Sequence, residues 1–469
     1  MINKIEQVYS KFYNKKIEKI EKLPQSGSYR EYYRITNKDK KIIAVYNPDL
    51  RENDAFVSFS NTFFLENLPV PQVFFYDREN KIYFITDLGD TTLFDFLKTD
   101  SSKIEIEKLY KIILDQLIGF QFYANKKIDY TKCYPKDKFD KESIMWDLNY
   151  FKYFVLKYSQ VTFEETKLEK DFNKLAEYLE SAGMENFLYR DFQSKNIMLK
   201  DDKVYFIDYQ GGRRGAFYYD LVSLLYDNKA KLSDIMIEKL KQYYYEIVSK
   251  KVTVSQKKFD EYFYSFALVR LMQAFAAYNF RGLIENKLHF VSSIPLAINS
   301  LQKIIPKVKF LELNELMSSL EKLMYDSLVS RKFKPLDKIK VEITSFSYRD
   351  TGYPEDKFNN GGGFVFDCRF LPNPGRLEEY RHKTGNDADV VKYLKSFAQS
   401  EVFLGRCTDM ILDACRNYES MGYENLQVNF GCTGGQHRSV FFANETAKML
   451  KELYNINVSV NHTNSANWH

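Results

Sequence analysis

Asp191 and Asn196 stand five residues apart in F-L-Y-R-D-F-Q-S-K-N-I-M-L, and Asp208 follows twelve residues after Asn196 in V-Y-F-I-D-Y-Q. Phosphoryl transfer from ATP needs such a set. One carboxylate takes the proton of the attacking hydroxyl, while an amide oxygen and a second carboxylate hold Mg²⁺ against the triphosphate. A lone Arg-Asp pair in a loop reads as a structural ion pair. A D-x-x-x-x-N spacing with a strand pair and a later Asp does not reduce to one. A second constellation lies near the C-terminus, N-F-G-C-T-G-G-Q-H-R-S-V over 429–440, after an apolar strand and before a helix. Gly431, Gly434 and Gly435 permit tight turns that aim N–H groups inward. The helix start adds positive dipole and Arg438 a full charge, which makes a cradle for phosphate or a similar anion. Cys432 and Arg438 also fit the C-x-x-x-x-x-R spacing of cysteine phosphatases, a weak pattern when it stands bare.

The elements that must position these residues follow from periodicity. An amphipathic helix, Ile2 to Tyr13, opens the chain, and E-Y-Y-R-I-T with K-I-I-A-V-Y forms a hairpin. A helix from Asp54 to Leu65 and strands Gln72–Tyr76 and Ile82–Asp87 come next, then mostly helix from Lys103 to Leu328. Strands first and helices afterwards predict an α+β two-lobed unit, with lobes of about 1–88 and 89–330. A charged stretch with Pro335, residues 331–337, reads as a linker. Residues 338–469 then alternate strand and helix, which predicts a small α/β domain.

The 469 residues exceed one ordinary domain, and 45% hydrophobic content with 28% charge supplies real cores. No apolar run reaches transmembrane length and no signal-peptide block opens the chain, so no membrane partner is expected. Five scattered cysteines make no disulfide framework, and a cytoplasmic location is expected. Net charge is +5 overall. Residues 340–469 hold 14 basic and 16 acidic side chains, a net of −2, which disfavours RNA as a partner.

G-S-Y-R-E-Y-Y-R-I (27–35), F-I-T-D-L-G-D (84–90), Y-R-D-F-Q-S-K-N (189–196) and F-I-D-Y-Q-G-G-R-R-G-A-F-Y-Y-D-L-V-S-L-L (206–225) together resemble the aminoglycoside phosphotransferase-like branch of the protein-kinase fold. Within it the likeness is nearest to anomeric kinases of N-acetylmuramate and N-acetylglucosamine. The resemblance implies Asp191 as base, Asn196 and Asp208 as Mg²⁺ ligands, and Gly27 and Ser28 over the phosphates of ATP. It implies Thr86, Asp87 and Leu88 as an adenine-binding hinge. A sugar pocket would form from Trp146, Asp147 and Tyr150 with Arg270 and Gln273. Three departures stand out. Tyr189 replaces the usual His before Arg-Asp, the strand K-I-I-A-V-Y lacks its phosphate-gripping lysine, and the next helix, A-F-V-S-F-S-N-T-F-F-L, lacks the acidic partner. Arg30 or Arg34 is the expected substitute cation, and a pseudokinase adapter is the alternative.

V-F-D-C-R-F-L-P-N-P with G-C-T-G-G-Q-H-R-S-V resembles the C-terminal domain of the RNase adapter RapZ over about 340–461. That resemblance implies binding of glucosamine-6-phosphate, with Asp367, Arg369, Asn373, Cys432, Thr433, Gly434, Gly435, His437 and Arg438 shaping the pocket. The combined expectation is an ATP- and Mg²⁺-dependent amino-sugar kinase joined to a domain that binds a phosphorylated amino sugar.

Overall fold

The computed structural model describes residues 1–24, 30–38, 40–99, 102–285, 287–332, 336, 338–360 and 362–468, the backbone alone at 288, 289, 328 and 331. It divides into two compact units. The first comprises 1–151, 163–274 and 299–317; the second comprises 152–162, 275–298 and 318–469. Helical segments 275–298 and 318–332 thus group with the C-terminal sheet. Of the expected linker, residues 333–335 and 337 lie outside the described residues.

In the first unit, α1 (Ile2–Tyr13) packs on a sheet of β1 (Lys19–Lys22), β2 (Glu31–Asn37), β3 (Lys40–Tyr46), β4 (Val73–Asp77) and β5 (Ile82–Thr86). Every pairing is antiparallel and the order is β1-β2-β3-β5-β4. Alternation along β2 places Tyr33 and Ile35 inward, where Ile42 and Ala44 of β3 and Ile5, Val8 and Tyr9 of α1 meet them. Helix α2 (Leu50–Leu65) begins earlier than its apolar periodicity suggests. The Asp49 side chain caps it by accepting from Arg51 N at 2.9 Å, so a polar first turn carrying Glu52 joins the helix.

Helices α3 (Leu93–Phe96), α4 (Lys103–Ile118), α5 (Lys141–Phe151) and α6 (Glu165–Glu180) lead to β6 (Asn186–Leu188), β7 (Ile197–Lys200), β8 (Lys203–Phe206) and β9 (Arg213–Gly215). The β7–β8 hairpin turns on Asp201 and Asp202, both left-handed with φ of 50° and 57°. Next come α7 (Tyr218–Leu225), α8 (Asp234–Val248), α9 (Gln256–Asn279), α10 (Ile294–Ile304), α11 (Asn314–Tyr325) and α12 (Leu328–Lys332). The first unit therefore has the kinase-like α+β architecture expected from sequence.

The C-terminal sheet comprises β10 (Lys340–Ser347), β11 (Gly363–Asp367), β12 (Asn425–Cys432) and β13 (Asn457–His462), and its helices are α13 (Ala388–Lys395), α14 (Ala398–Ser420) and α15 (Arg438–Tyr454). All pairings are parallel, in the order β11-β12-β10-β13. Val341, Ile343, Val428 and Phe430 pack with Ile411, Phe441 and Leu450 of the helices in one core. Strands β1 and β13, both at sheet edges, are additions to the sequence reading. Among the described residues no helix is long and apolar enough to cross a membrane.

Candidate functional site

The catalytic-loop segment runs between β6 and β7, and a buried acid in α7 fixes it. Asp220 accepts Tyr189 N at 2.7 Å and Arg190 N at 3.0 Å, with Gln121 Nε2 at 3.4 Å. Burial pushes its carboxyl up to about 7, against the lowering effect of those donors. Tyr189, fully buried, stands where the resemblance leads one to expect His. Its hydroxyl donates to the Ile207 carbonyl at 2.6 Å, tying the loop to the residue before Asp208. Arg190 and Asp208 both sit in the left-handed region, φ 80° and 69°, a strain that surrounding hydrogen bonds must hold.

The Asp191 carboxylate makes no hydrogen bond among the described residues. Burial, with Asp208 beside it, pushes it above the usual carboxylate range, while Arg190, Arg270 and Arg213 oppose the rise. Asn196 Nδ2 donates to the Asp191 carbonyl at 2.9 Å and approaches Asp208 Oδ2 at 3.4 Å. The Asn196 amide and the Asp208 carboxylate thus lie side by side with the amide nitrogen towards Asp208, and the residue types supply the amide and carboxylate oxygens that would suit Mg²⁺ completed by water and triphosphate oxygens.

Of the two arginines expected as the substitute cation, Arg30 lies beside Asp208. It is 4% exposed and donates to Asp208 Oδ1 at 2.9 Å and to Glu52 Oε2 at 2.6 Å. The expectation that the helix offers no acidic partner is corrected here, because Glu52 lies in the capped first turn of α2. Arg30 thus joins Glu52 to Asp208, the aspartate expected to ligate the metal. Gln210 Nε2 adds a bond to Asp208 Oδ1 at 2.8 Å.

Gly27 and Ser28 lie outside the described residues. At the hinge, Thr86 bonds to Gln72, and the Asp87 carboxylate pairs with Arg34 at 2.7 Å. The Asp87 carbonyl accepts Lys200 Nζ at 2.8 Å, so of the three hinge residues Leu88 keeps a backbone N–H and carbonyl without partners among the described residues. Asp147, expected in a sugar pocket, makes a two-point ion pair with Arg190 at 2.8 and 2.9 Å. Trp146 is 48% exposed with Lys136 over its ring, and Tyr150 is half-buried on the same helix face. Arg270 donates to Ser223 Oγ at 3.0 Å and to Gln273 Oε1 at 2.8 Å. Missed from sequence were Glu52, Asp220, Gln210 and Arg213. Asp220 alone left a signal, a single acid inside the apolar run Y-Y-D-L-V-S-L-L.

Asp220→Asn should lower stability by about 1–3 kcal/mol, because Asp220 serves Tyr189 N and Arg190 N with two separate oxygens where Asn has one, so a buried donor goes unpaired. The raised carboxyl stabilises the fold fully below the unfolded value near 3.8 and loses that contribution as pH climbs towards about 7. The gap in Tm between wild type and variant should therefore narrow from pH 4 to pH 7. A gap that widens would contradict this assignment.

In the C-terminal sheet domain, the turn after β12 carries the glycine cradle. Backbone N–H groups from Thr433 to Ser439 find no acceptor among the described residues, at the start of a 17-residue helix. The carbonyls point the other way. Thr433 O accepts Ser347 Oγ at 2.8 Å, Gly434 O accepts Asn464 Nδ2 at 2.8 Å, and Gly435 O accepts Trp468 Nε1 at 2.9 Å. Gly435 has φ 59°, and a Cβ there would sit 2.8 Å from Asn464 Cβ. Arg438 is buried and donates to the Arg369 and Leu371 carbonyls at 2.6 and 3.1 Å, which draws the 369–371 segment to the cradle. Asp367 pairs with Arg369, whose guanidinium lies 3.9 Å over the Tyr348 ring. Asn373 Oδ1 accepts Gly375 N at 3.2 Å, and a Cβ on Gly375 would lie 3.3 Å from His437. His437 Nε2 donates to Tyr380 O at 2.9 Å, and burial lowers its pKa. Cys432 is buried with Sγ 3.1 Å from Ser439 Oγ. Its neighbour Arg438 turns Nη1 to the Arg369 and Leu371 carbonyls.

Residues 19–249 match the model of a phosphotransferase enzyme family, and residues 339–466 match the RapZ C-terminal domain. The chain is 45% identical over 117 residues to a nucleotide-binding protein of Acidobacterium capsulatum, covering 25% of this chain and 36% of that protein. It is 38% identical over 140 residues to a nucleotide-binding protein of Koribacter versatilis, covering 30% and 44%. The chain thus spans less than half the length of these curated relatives. Among solved structures it resembles a choline kinase from Cryptosporidium parvum (TM-score 0.48, 13% identity, 68% of this chain and 100% of that one). It also resembles a choline kinase from Streptococcus pneumoniae (TM-score 0.42, 12% identity, 66% and 99%).

Proposed function

With residues 19–249 a domain of the phosphotransferase enzyme family and residues 339–466 a RapZ C-terminal domain, we propose that the chain phosphorylates a hydroxyl of an amino sugar. The donor is ATP, the metal Mg²⁺, and the acceptor position the anomeric carbon of an N-acetylmuramate- or N-acetylglucosamine-type sugar, as in cell-wall sugar recycling. The observation that carries this reading is the unengaged Asp191 carboxylate beside the Asn196–Asp208 pair. Asp191 takes the acceptor hydroxyl proton as its oxygen bonds to the γ-phosphorus and the bond to the ADP oxygen breaks. Asn196 and Asp208 would hold the Mg²⁺, whose charge would neutralise the phosphoryl oxygens. Arg30 holds Asp208 in place, and the Leu88 backbone offers a donor and an acceptor for adenine. An ATP-consumption screen over amino sugars, hexoses and aminoglycosides, with the phosphate position read by NMR, tests the proposal. Consumption only with aminoglycosides would replace the acceptor class.

The C-terminal domain, in the same reading, binds a phosphorylated amino sugar such as glucosamine-6-phosphate on the 433–439 N–H groups and does not hydrolyse it. Charge-assisted hydrogen bonds contribute about 1.5–3 kcal/mol each. Arg438→Ala should therefore weaken binding at least roughly tenfold, by releasing the 369–371 segment that flanks the cradle. Cys432→Ser should leave binding within about twofold. Calorimetry on the full chain checks both, and a free-phosphate assay should stay flat. Phosphate release that vanishes in Cys432→Ser would establish a phosphatase instead.

A further inference from the structure

Arg34, the other arginine expected to replace the phosphate-gripping lysine, turns to the hinge. Every nitrogen of its guanidinium donates into residues 87–90. Nε reaches Asp87 Oδ2 at 2.7 Å, and Nη1 reaches Asp90 Oδ2 at 3.0 Å. Nη2 donates to Asp87 Oδ1 at 3.1 Å, to Asp90 Oδ1 at 2.8 Å and to the Gly89 carbonyl at 3.4 Å. Asp87 Oδ1 also accepts Gly89 N at 2.9 Å. Gly89 takes a left-handed φ of 81°, and the turn sets both acids on one guanidinium.

Strand register explains the reach. Arg34 of β2 stands opposite Ile43 of β3, and Ile43 opposite Ile85 of β5, in one row on the face turned away from α1. Asp87 comes two residues past Ile85, so the guanidinium crosses β3 to meet it. The same segment is tied from its other side by β7. Lys200 Nζ donates to the Asp87 carbonyl at 2.8 Å, Leu199 N to the Thr91 carbonyl at 2.9 Å, and Met198 bridges to Thr92. β7 begins at Ile197, directly after Asn196. Leu88 therefore lies between two fixed flanks, while its own N–H and carbonyl have no partner among the described residues. Stability does not account for the second acid, because the Asp90 side chain is 78% exposed and ion pairs that exposed contribute little. What Asp90 adds is a fixed backbone on the far side of Leu88.

We infer that Arg34 is a positioning residue for the nucleotide base, and that by fixing Leu88 it selects adenine over guanine. This rests on the kinase reading above and names the residue that sets its donor specificity. Leu88 offers one donor and one acceptor. Adenine presents N1 as an acceptor beside the N6 amino donor, whereas guanine presents N1–H as a donor beside the O6 acceptor. The order along the edge is reversed. A segment free to shift can meet either edge; a clamped one meets the edge it is set for and leaves the other unpaired.

Calorimetry of the full chain with ATP and with GTP, both with Mg²⁺, tests this without an acceptor. Wild type should bind ATP about tenfold or more tighter than GTP. Arg34→Gln should cut that ratio by about fivefold or more, mainly by weakening ATP, with kcat at saturating ATP within about threefold of wild type. Arg34→Lys, which can keep one acid, should recover part of the preference. Asp90→Asn changes an exposed side chain, so it keeps the test valid should Arg34→Gln fold poorly, and it should lower the ratio by about twofold or more. An unchanged ratio in the variants beside a lower Tm would leave Arg34 a fold ion pair and would overturn the inference. So would a wild type that binds both nucleotides equally or binds neither, or a loss of kcat with the ratio intact. A wild type that prefers ATP, with variants that lose the preference, supports the inference even where no acceptor is phosphorylated; the kinase reading would then fail alone.

Discussion

Asp191→Ala should lower phosphoryl transfer by about 10²–10⁴-fold while ATP still binds, because loss of a general base removes a proton acceptor and leaves nucleotide contacts in place. The structure gives the reason for expecting the upper part of that range. Asp191 has no hydrogen-bond partner to share its role, and Asn196 and Asp208 are already held by the loop carbonyl, Arg30 and Gln210. Nucleotide affinity by calorimetry and turnover by coupled assay separate the two functions. A variant that turns over within threefold of wild type would remove Asp191 from the chemistry.

Arg30→Gln should raise KM for ATP at least tenfold and lower stability by about 1–3 kcal/mol. The guanidinium links Glu52 in the first turn of α2 to Asp208, and each charge-assisted bond contributes about 1.5–3 kcal/mol before solvent screening. Both acids are about one-third exposed, at 34% and 37% of their side chains, so the stability loss stays below that of a fully buried pair. Coupling is the sharper readout. Glu52→Gln alone and the double variant should fall short of additivity, because each substitution removes the same link. Strict additivity in both KM and Tm would show that Arg30 and Glu52 act apart.

Linear spacing carried the parts of the site that lie close in sequence. Asp191, Asn196 and Asp208 are brought together by one loop and one hairpin, so their separation along the chain nearly states their arrangement. Long-range pairing left no such trace. Asp147 is 43 residues from Arg190, and nothing in M-W-D-L-N-Y-F shows that its carboxylate is taken. Glu52 was hidden for a local reason, since the Asp49 cap adds a polar turn before the apolar stripe of α2 begins. The order of strands and helices was legible for both regions because long apolar runs alternate with turns. β1 and β13 were not. The first is K-I-E-K, mostly exposed, and the second alternates valines with polar residues at a sheet edge. Arg438 was legible as a charge in a glycine loop, but the two carbonyls that take its Nη1 and tie segment 369–371 to the cradle lie too far along the chain to read from sequence.

The central claim is that the Asp191 loop transfers the γ-phosphoryl group of ATP to an amino sugar. The most direct measurement incubates the purified full chain with ATP, Mg²⁺ and N-acetylmuramate or N-acetylglucosamine and follows product by phosphorus NMR. The account predicts a Mg²⁺-dependent sugar-1-phosphate signal that Asp191→Ala abolishes. A wild-type protein that neither binds ATP nor phosphorylates any sugar would contradict it.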